Sequence, residues 1–156
     1  MQAAENTITP SQYGALAEFR YQIRRFLRFS EEAARPVGIE PMQHQVLLAV
    51  MALPREAPPS IGELARRLLL RQHSTVGLVN RMERRGLVAR EREGKDRRQV
   101  RVRITPEGEE LLRKLTVCHQ AELSTMGPAL AQALAGVLRV AAGTGGNPGI
   151  GGQEGT

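Results

Sequence analysis

Apolar residues recur at three- and four-residue spacing from about Ser11 to Ala34. Leu16, Phe19, Ile23, Phe26, Leu27 and Ser30 fall on one face, and Arg20, Arg24, Arg25 and Arg28 fall largely off it. This spacing predicts a long amphipathic helix, ended by Pro36 and Gly38. A second helix starts near Pro41, a residue type suited to the first turn, and runs to Leu53. Pro54, Pro58 and Pro59 make the next break. Ser60-Ile61-Gly62-Glu63 then reads as a capping box, in which hydroxyl and carboxylate satisfy each other's backbone N–H groups. It opens a helix of about eleven residues, SIGELARRLLL. Another short helix follows from about Gln72 to Arg85 and stops at Gly86. Its core stripe is Thr75, Leu78, Val79 and Met82, at i, i+3, i+4 and i+7.

After Gly86 the period changes from 3.6 to 2. LVARE is a short strand and EGKD a turn. QVRVRI alternates, with Val100, Val102 and Ile104 on one face and Gln99, Arg101 and Arg103 on the other. Thr105 is placed to cap a further helix with Pro106 in its first turn. Leu111, Leu112, Leu115, Cys118 and Leu123 continue its apolar stripe. Gly127-Pro128 is expected to break it, leaving a last helix, ALAQALAGVLRVAA. The expected organisation is a flexible segment over 1–10, a single domain over 11–142 and a disordered tail over 143–156. Seven of the fourteen tail residues are Gly, too little apolar surface to offset the entropy of ordering it.

Length agrees with one domain, because 156 residues suffice for one core and not for two ordinary ones. A single cysteine excludes an intrachain disulfide and fits a reducing compartment. The first residues, MQAAE, lack the basic and apolar regions of a secretory signal. The longest purely apolar run, Val46–Leu53, is far short of the ~20 residues that span a bilayer. The expectation is therefore a soluble, cytoplasmic protein with no membrane partner.

Charge sharpens the picture. Residues 55–103 hold 14 basic and 6 acidic side chains, a net of +8, and the rest of the chain holds a net of −2. A concentrated positive field suits a polyanion, most simply nucleic acid. The competing reading is an Arg-rich solvated surface, since 20 of the 22 basic residues are Arg.

Little points to catalysis. There is no Ser-His-Asp set in a plausible frame, no carboxylate pair with polar support, and no strand–Gly loop–helix phosphate site, so the chain is not expected to be an enzyme. Three scattered histidines (His44, His73, His119) and one cysteine lack metal-ligand spacing, and no metal or other cofactor is expected. Cys118-His119 would suit a redox or metal pair, but Cys118 falls on the apolar stripe and is expected to be a buried structural thiol.

Two short helices, a tight turn and a basic hairpin form the order of a winged helix-turn-helix. The second helix can enter a major groove, and the hairpin can carry Arg to the backbone or minor groove. At IGELARRLLL, STVGLVNRMERRGLV and the hairpin DRRQVRVRITPEG, the chain resembles the MarR family of transcriptional regulators. The hairpin follows that family's pattern through Asp96, Arg98, Ile104, Thr105 and Gly108, and the likeness extends over about residues 10–142.

The resemblance implies a mainly α fold with a small β-hairpin wing (α+β). Helices in 11–36 and 106–142 would form a dimerisation core around a DNA-binding lobe over 41–105, with its wing at 88–104. It implies a homodimer on double-stranded DNA, a wing-tip Arg98 in the minor groove braced by Asp96, and a small-molecule effector bound near the first two helices. His44 is a candidate to line that pocket; the competing reading is a surface or capping histidine. On the recognition helix His73, Ser74, Val76, Gly77 and Asn80 are placed near bases. Arg81, Arg84, Arg101 and Arg103 are placed near phosphates, and Lys95 and Arg97 complete the wing. Arg71-Gln72-His73 replaces the family's usual Ser/Thr cap at this helix.

The expected function is a sequence-specific regulator, most simply a homodimeric repressor released from a pseudo-palindromic operator by an effector. The rival readings are a redox- or metal-responsive regulator and a winged helix used for protein–protein assembly. In oxidant-sensing family members the redox cysteine lies in the first helix, where this chain has none.

Overall fold

The computed structural model describes residues 8–92 and 100–143. The elements run α1 (Pro10–Ala34), a 3-10 turn (Arg35–Val37), α2 (Pro41–Met51), α3 (Ile61–Leu68), α4 (Gln72–Arg84), β1 (Val88–Arg92), β2 (Val100–Ile104) and α5 (Pro106–Gly143). The architecture is the expected mainly α chain with a two-stranded hairpin.

Most element boundaries follow from local chemistry. Thr9 Oγ1 accepts the Gln12 N–H and Pro10 takes the first helical position, so α1 begins inside the segment expected to be flexible. Gly38, at φ +68°, turns the chain after the 3-10 segment. The Glu40 N–H at the start of α2 donates to Gln43 Oε1 at 3.1 Å. The Ser60 box forms as expected: the Glu63 N–H donates to Ser60 Oγ at 3.2 Å and the Ser60 N–H to Glu63 Oε2 at 2.7 Å. Helix α3 is shorter than expected, because Leu69 adopts φ +55° and is almost wholly exposed. Only Leu68 and Leu70 pack on the core, so the backbone turns at the residue with nothing to bury.

The chain divides into two compact units. The larger, residues 28–121, holds the hydrophobic core. Val46, Leu47 and Val50 of α2, Leu64 of α3, Leu78, Val79 and Met82 of α4, Val88 and Val102 of the hairpin, and Leu112 and Leu115 of α5 are buried together. The strands pair antiparallel, Val88 opposite Ile104 and Arg92 opposite Val100. The Val102 N–H donates to Pro59 O at 2.9 Å, which ties the hairpin to the segment that opens α3. Gly108 is fixed by a close approach: a Cβ there would lie 2.2 Å from Leu87 O. Thr105 Oγ1 accepts the Gly108 N–H and donates to Gly86 O, so cap and glycine together seat α5 beside the hairpin.

The smaller unit takes in the N-terminal part of α1 and the C-terminal part of α5. Gln22, Met126 and Ala133 are its buried residues, whereas Tyr13, Leu16, Tyr21, Leu27, Leu123, Leu134 and Leu138 are exposed. The α1 stripe is therefore only half covered: Phe19, Ile23 and Phe26 are partly buried, and Leu16 and Leu27 are not.

Three expectations for α5 are corrected. Gly127-Pro128 does not break it; the helix continues through Pro128 to Gly143. A proline inside a helix costs about 3 kcal/mol, which good helix formers on both sides can outweigh once the helix is nucleated. Gly143, assigned to the tail, is the last helical residue, and the rest of the tail lies outside the described residues. Cys118 is exposed, and His119 takes the buried position. Gly108, Leu112, Leu115, His119, Met126 and Ala133 are the buried positions of α5, spaced by four, three, four, seven and seven, so the stripe passes one residue beyond the cysteine. By length and composition α5 could also cross a membrane, the one such helix among the described residues.

Candidate nucleic-acid interface

The outward face of α4 is set by its inward one. Thr75, Leu78, Val79 and Met82 are buried, as the spacing predicts. Residues opposite them on the helical wheel are His73, Gly77, Asn80 and Arg84, at i, i+4, i+7 and i+11. His73, Asn80 and Arg84 are exposed and Gly77 half-buried, with exposed Ser74, Val76 and Arg81 on the flanks. The helix starts at Gln72 with Arg71 as a cap that makes no side-chain cap bond, which fixes the register at Arg71-Gln72-His73. Thr75 Oγ1 instead donates to Arg71 O at 3.1 Å.

Most expected phosphate ligands are held by carboxylates. Arg81 pairs with Glu40 at 3.3 Å and Arg101 with Glu63 at 3.1 Å. Arg103 pairs with Glu91 and also donates to Arg55 O at 2.6 Å. Hydrogen bonding to the Ser60 N–H, aided by Arg101, holds the Glu63 carboxyl below the usual range, so the carboxylate that caps α3 is also the one that steadies strand β2. These pairs are half-exposed and individually weak. Their effect is to hold long side chains in place on α4 and β2.

Sequence reasoning missed several residues. Arg66 and Arg67 in the last turn of α3, Arg71 at the turn and Arg92 at the end of β1 are all exposed. Their shared sign within the +8 segment was the available signal. Arg90 was also missed: it donates to Glu83 Oε2 and to Asn80 Oδ1, each at 2.6 Å, and so links strand β1 to helix α4. Lys95, Asp96, Arg97 and Arg98 lie outside the described residues.

His44 is neither a surface nor a capping residue. It is 1% exposed, and neither ring nitrogen has a hydrogen-bond partner among the described residues. Its ring lies 4.7 Å from that of His119. His119 Nδ1 is 2.7 Å from Leu115 O and Nε2 is 2.9 Å from Ser30 Oγ. A carbonyl only accepts, so Nδ1 of His119 carries a proton and donates it to Leu115 O. Burial, with His119 alongside, lowers His44 to a pKa of about 4. His119 also meets Phe29 edge-on at 5.4 Å. Phe29 lines an adjoining cavity of about 430 Å³ with Ala33, Val37, Lys114, Leu115 and Cys118. His44 itself does not line that cavity. No group of three metal-ligating side chains occurs among the described residues.

The MarR family sequence model matches residues 37–99, which spans α2 to the wing. The HTH-type transcriptional regulator YsmB of Bacillus subtilis is 36% identical over 67 residues, covering 43% of this chain and 46% of YsmB. The chain thus aligns with about half the length of that relative. Among solved structures, the transcriptional repressor CouR bound to a 23-mer DNA duplex is 27% identical, with a TM-score of 0.62 over 79% of this chain and 87% of CouR. BpsR of Bordetella bronchiseptica, whose DNA binding is regulated by 6-hydroxynicotinic acid, shares the fold at 21% identity and a TM-score of 0.60, over 79% of this chain and 89% of BpsR. The buried α4 stripe and the outward polar row both lie within residues 37–99, the segment over which this chain is similar to the MarR family.

Proposed function

We propose that this chain is a sequence-specific regulator of transcription that binds double-stranded DNA in the cytoplasm as a homodimeric repressor. The observation that carries this reading is the outward row His73, Gly77, Asn80 and Arg84 on α4, set over a buried stripe, with Arg71 at the helix start and Arg66, Arg67 and Arg92 exposed on the neighbouring α3 and β1. A helix so mounted can lay polar side chains against base edges while the surrounding arginines meet phosphates. CouR supports it, as a repressor of this fold on duplex DNA. Ser74 and Val76 flank the base-reading row. Arg81, Arg101 and Arg103 exchange or share their carboxylate partners with phosphate, and Lys95, Asp96, Arg97 and Arg98 act from the wing.

Dimerisation is supported by the smaller unit. Among the described residues of this unit, eight large apolar side chains are exposed and only two apolar residues, Met126 and Ala133, are buried, which is the balance of a surface that a second copy covers. The apolar side of α5 then serves a protein partner rather than a bilayer. Two-fold symmetry places half-sites about one helical turn apart. An effector in the cavity beside Phe29 and Lys114 would release DNA only to the extent that it favours one separation of the recognition helices.

The test is affinity selection of genomic DNA with the purified chain, then a salt titration on the recovered site. A palindromic site held at least ~1,000-fold tighter than random DNA is expected. Weak binding that salt abolishes, with no preferred site, would refute the reading and favour the assembly module. A redox-responsive version has one observation in its favour, the exposure of Cys118. A Cys118→Ser variant whose DNA affinity still falls with peroxide would refute it.

A further inference from the structure

Asn80 lies on the outward face of α4 and, among the described residues, is the one member of that row held by the hairpin. Arg90, on β1, is anchored first to Glu83: its backbone N–H donates to Glu83 Oε1 at 3.0 Å and its Nη1 to Glu83 Oε2 at 2.6 Å. Those bonds hold the Glu83 carboxyl below its usual range, so the anchor stays charged. With one arm fixed, the second, Nη2, reaches Asn80 Oδ1 at 2.6 Å.

A guanidinium can only donate, so it dictates which end of the amide it meets. The carbonyl oxygen of Asn80 must face Arg90, and the planar amide then turns Nδ2 to the opposite edge. A free asparagine can present donor and acceptor together, which is how it matches the N6–H and N7 of adenine. Here a cation already holds one of the oxygen's two lone pairs and weakens it as an acceptor for a second donor, so the two N–H groups are what the amide presents most strongly. In the major groove guanine offers two acceptors side by side, O6 and N7, whereas adenine sets its N6 donor against them.

We infer that Arg90 is a specificity-positioning residue, locking Asn80 as a donor so that α4 selects guanine over adenine at the base it faces. This rests on the reading of α4 as a major-groove helix.

The experiment is selection from a randomised duplex library with the full chain, followed by competition between the recovered site and its guanine-to-adenine change. Wild type is expected to prefer guanine at one position of each half-site by about tenfold or more. Asn80→Asp still accepts from Arg90 but has no donor to show, and is expected to lose that preference while the other positions stay unchanged. Arg90→Met frees the amide to flip and is expected to admit adenine at the same position. Asn80→Asp changes an exposed residue, so it tests the inference even if Arg90→Met does not fold. If wild type selects a clear motif and Asn80→Asp selects the same one at every position, the inference falls while DNA recognition stands. It also falls if wild type prefers adenine at the position that Asn80→Asp alters. A wild type that selects no motif overturns both.

Discussion

Replacing His44 by leucine is expected to make the fold more stable and less sensitive to acid. The imidazole is buried with both nitrogens unpartnered among the described residues. A buried polar group left without a hydrogen bond costs about 1–3 kcal/mol, and leucine of similar volume removes it. A gain of about 1 kcal/mol or more at pH 7 is expected, after allowing for an imperfect fit. The acid effect follows from linkage. Unfolded His44 has the ordinary value of 6.5, and the folded value is about 4. Between those values the unfolded chain binds the proton and the folded chain does not, so stability falls as pH falls. From pH 7 to pH 5 this amounts to about 2 kcal/mol, above the range where carboxylates titrate. The assay is urea denaturation of wild type and His44→Leu at both pH values, read by circular dichroism. Wild type should lose about 2 kcal/mol more than the variant over that interval. Equal losses would show that His44 does not stay neutral in the folded chain, and would refute the account of the buried ring pair.

Three further outcomes test the local arguments. Gly108→Ala would place a Cβ at 2.2 Å from Leu87 O, and should lower stability by about 2–4 kcal/mol in thermal unfolding; a neutral effect would mean that α5 does not approach the hairpin so closely. Leu69→Gly relieves a left-handed residue that buries nothing, and should raise the urea midpoint by the equivalent of up to about 1 kcal/mol. Pro128→Ala should stabilise the chain by about 1–3 kcal/mol, since Pro128 sits inside a continuous helix; no gain would favour two helices meeting at Gly127-Pro128.

Features that depend on near neighbours along the chain are legible in the amino-acid order alone. The Ser60 box, Pro41, Thr105 with Pro106, and Gly86 each act within four residues, and each marks a real boundary. The α4 stripe is legible because a short helix packed on one side has a single inward face. Gly127-Pro128 misleads for a related reason: breaking strength is a local quantity, while the persistence of α5 depends on the apolar helix formers flanking it. Cys118 and His119 exchange places because adjacent helical residues differ by about 100° in direction, and a stripe drawn from leucines alone does not say which of the two it crosses.

What the sequence could not show is which charge meets which. Arg101 and Glu63 are 38 residues apart, Arg81 and Glu40 are 41 apart, and His119 and Ser30 are 89 apart. No periodicity links such pairs, because they exist only once the helices have packed. The consequence reaches the candidate interface itself. A count of arginines treats each as a free positive charge for DNA, yet several are already held by carboxylates. On the proposed reading, binding DNA would exchange a protein partner for a phosphate at those positions, and the net electrostatic gain there would be less than the +8 of the segment suggests. On the same reading specificity would depend on such pairs in the opposite sense, since a side chain held in one orientation, as Arg90 holds Asn80, would discriminate between bases that a mobile one would accept alike.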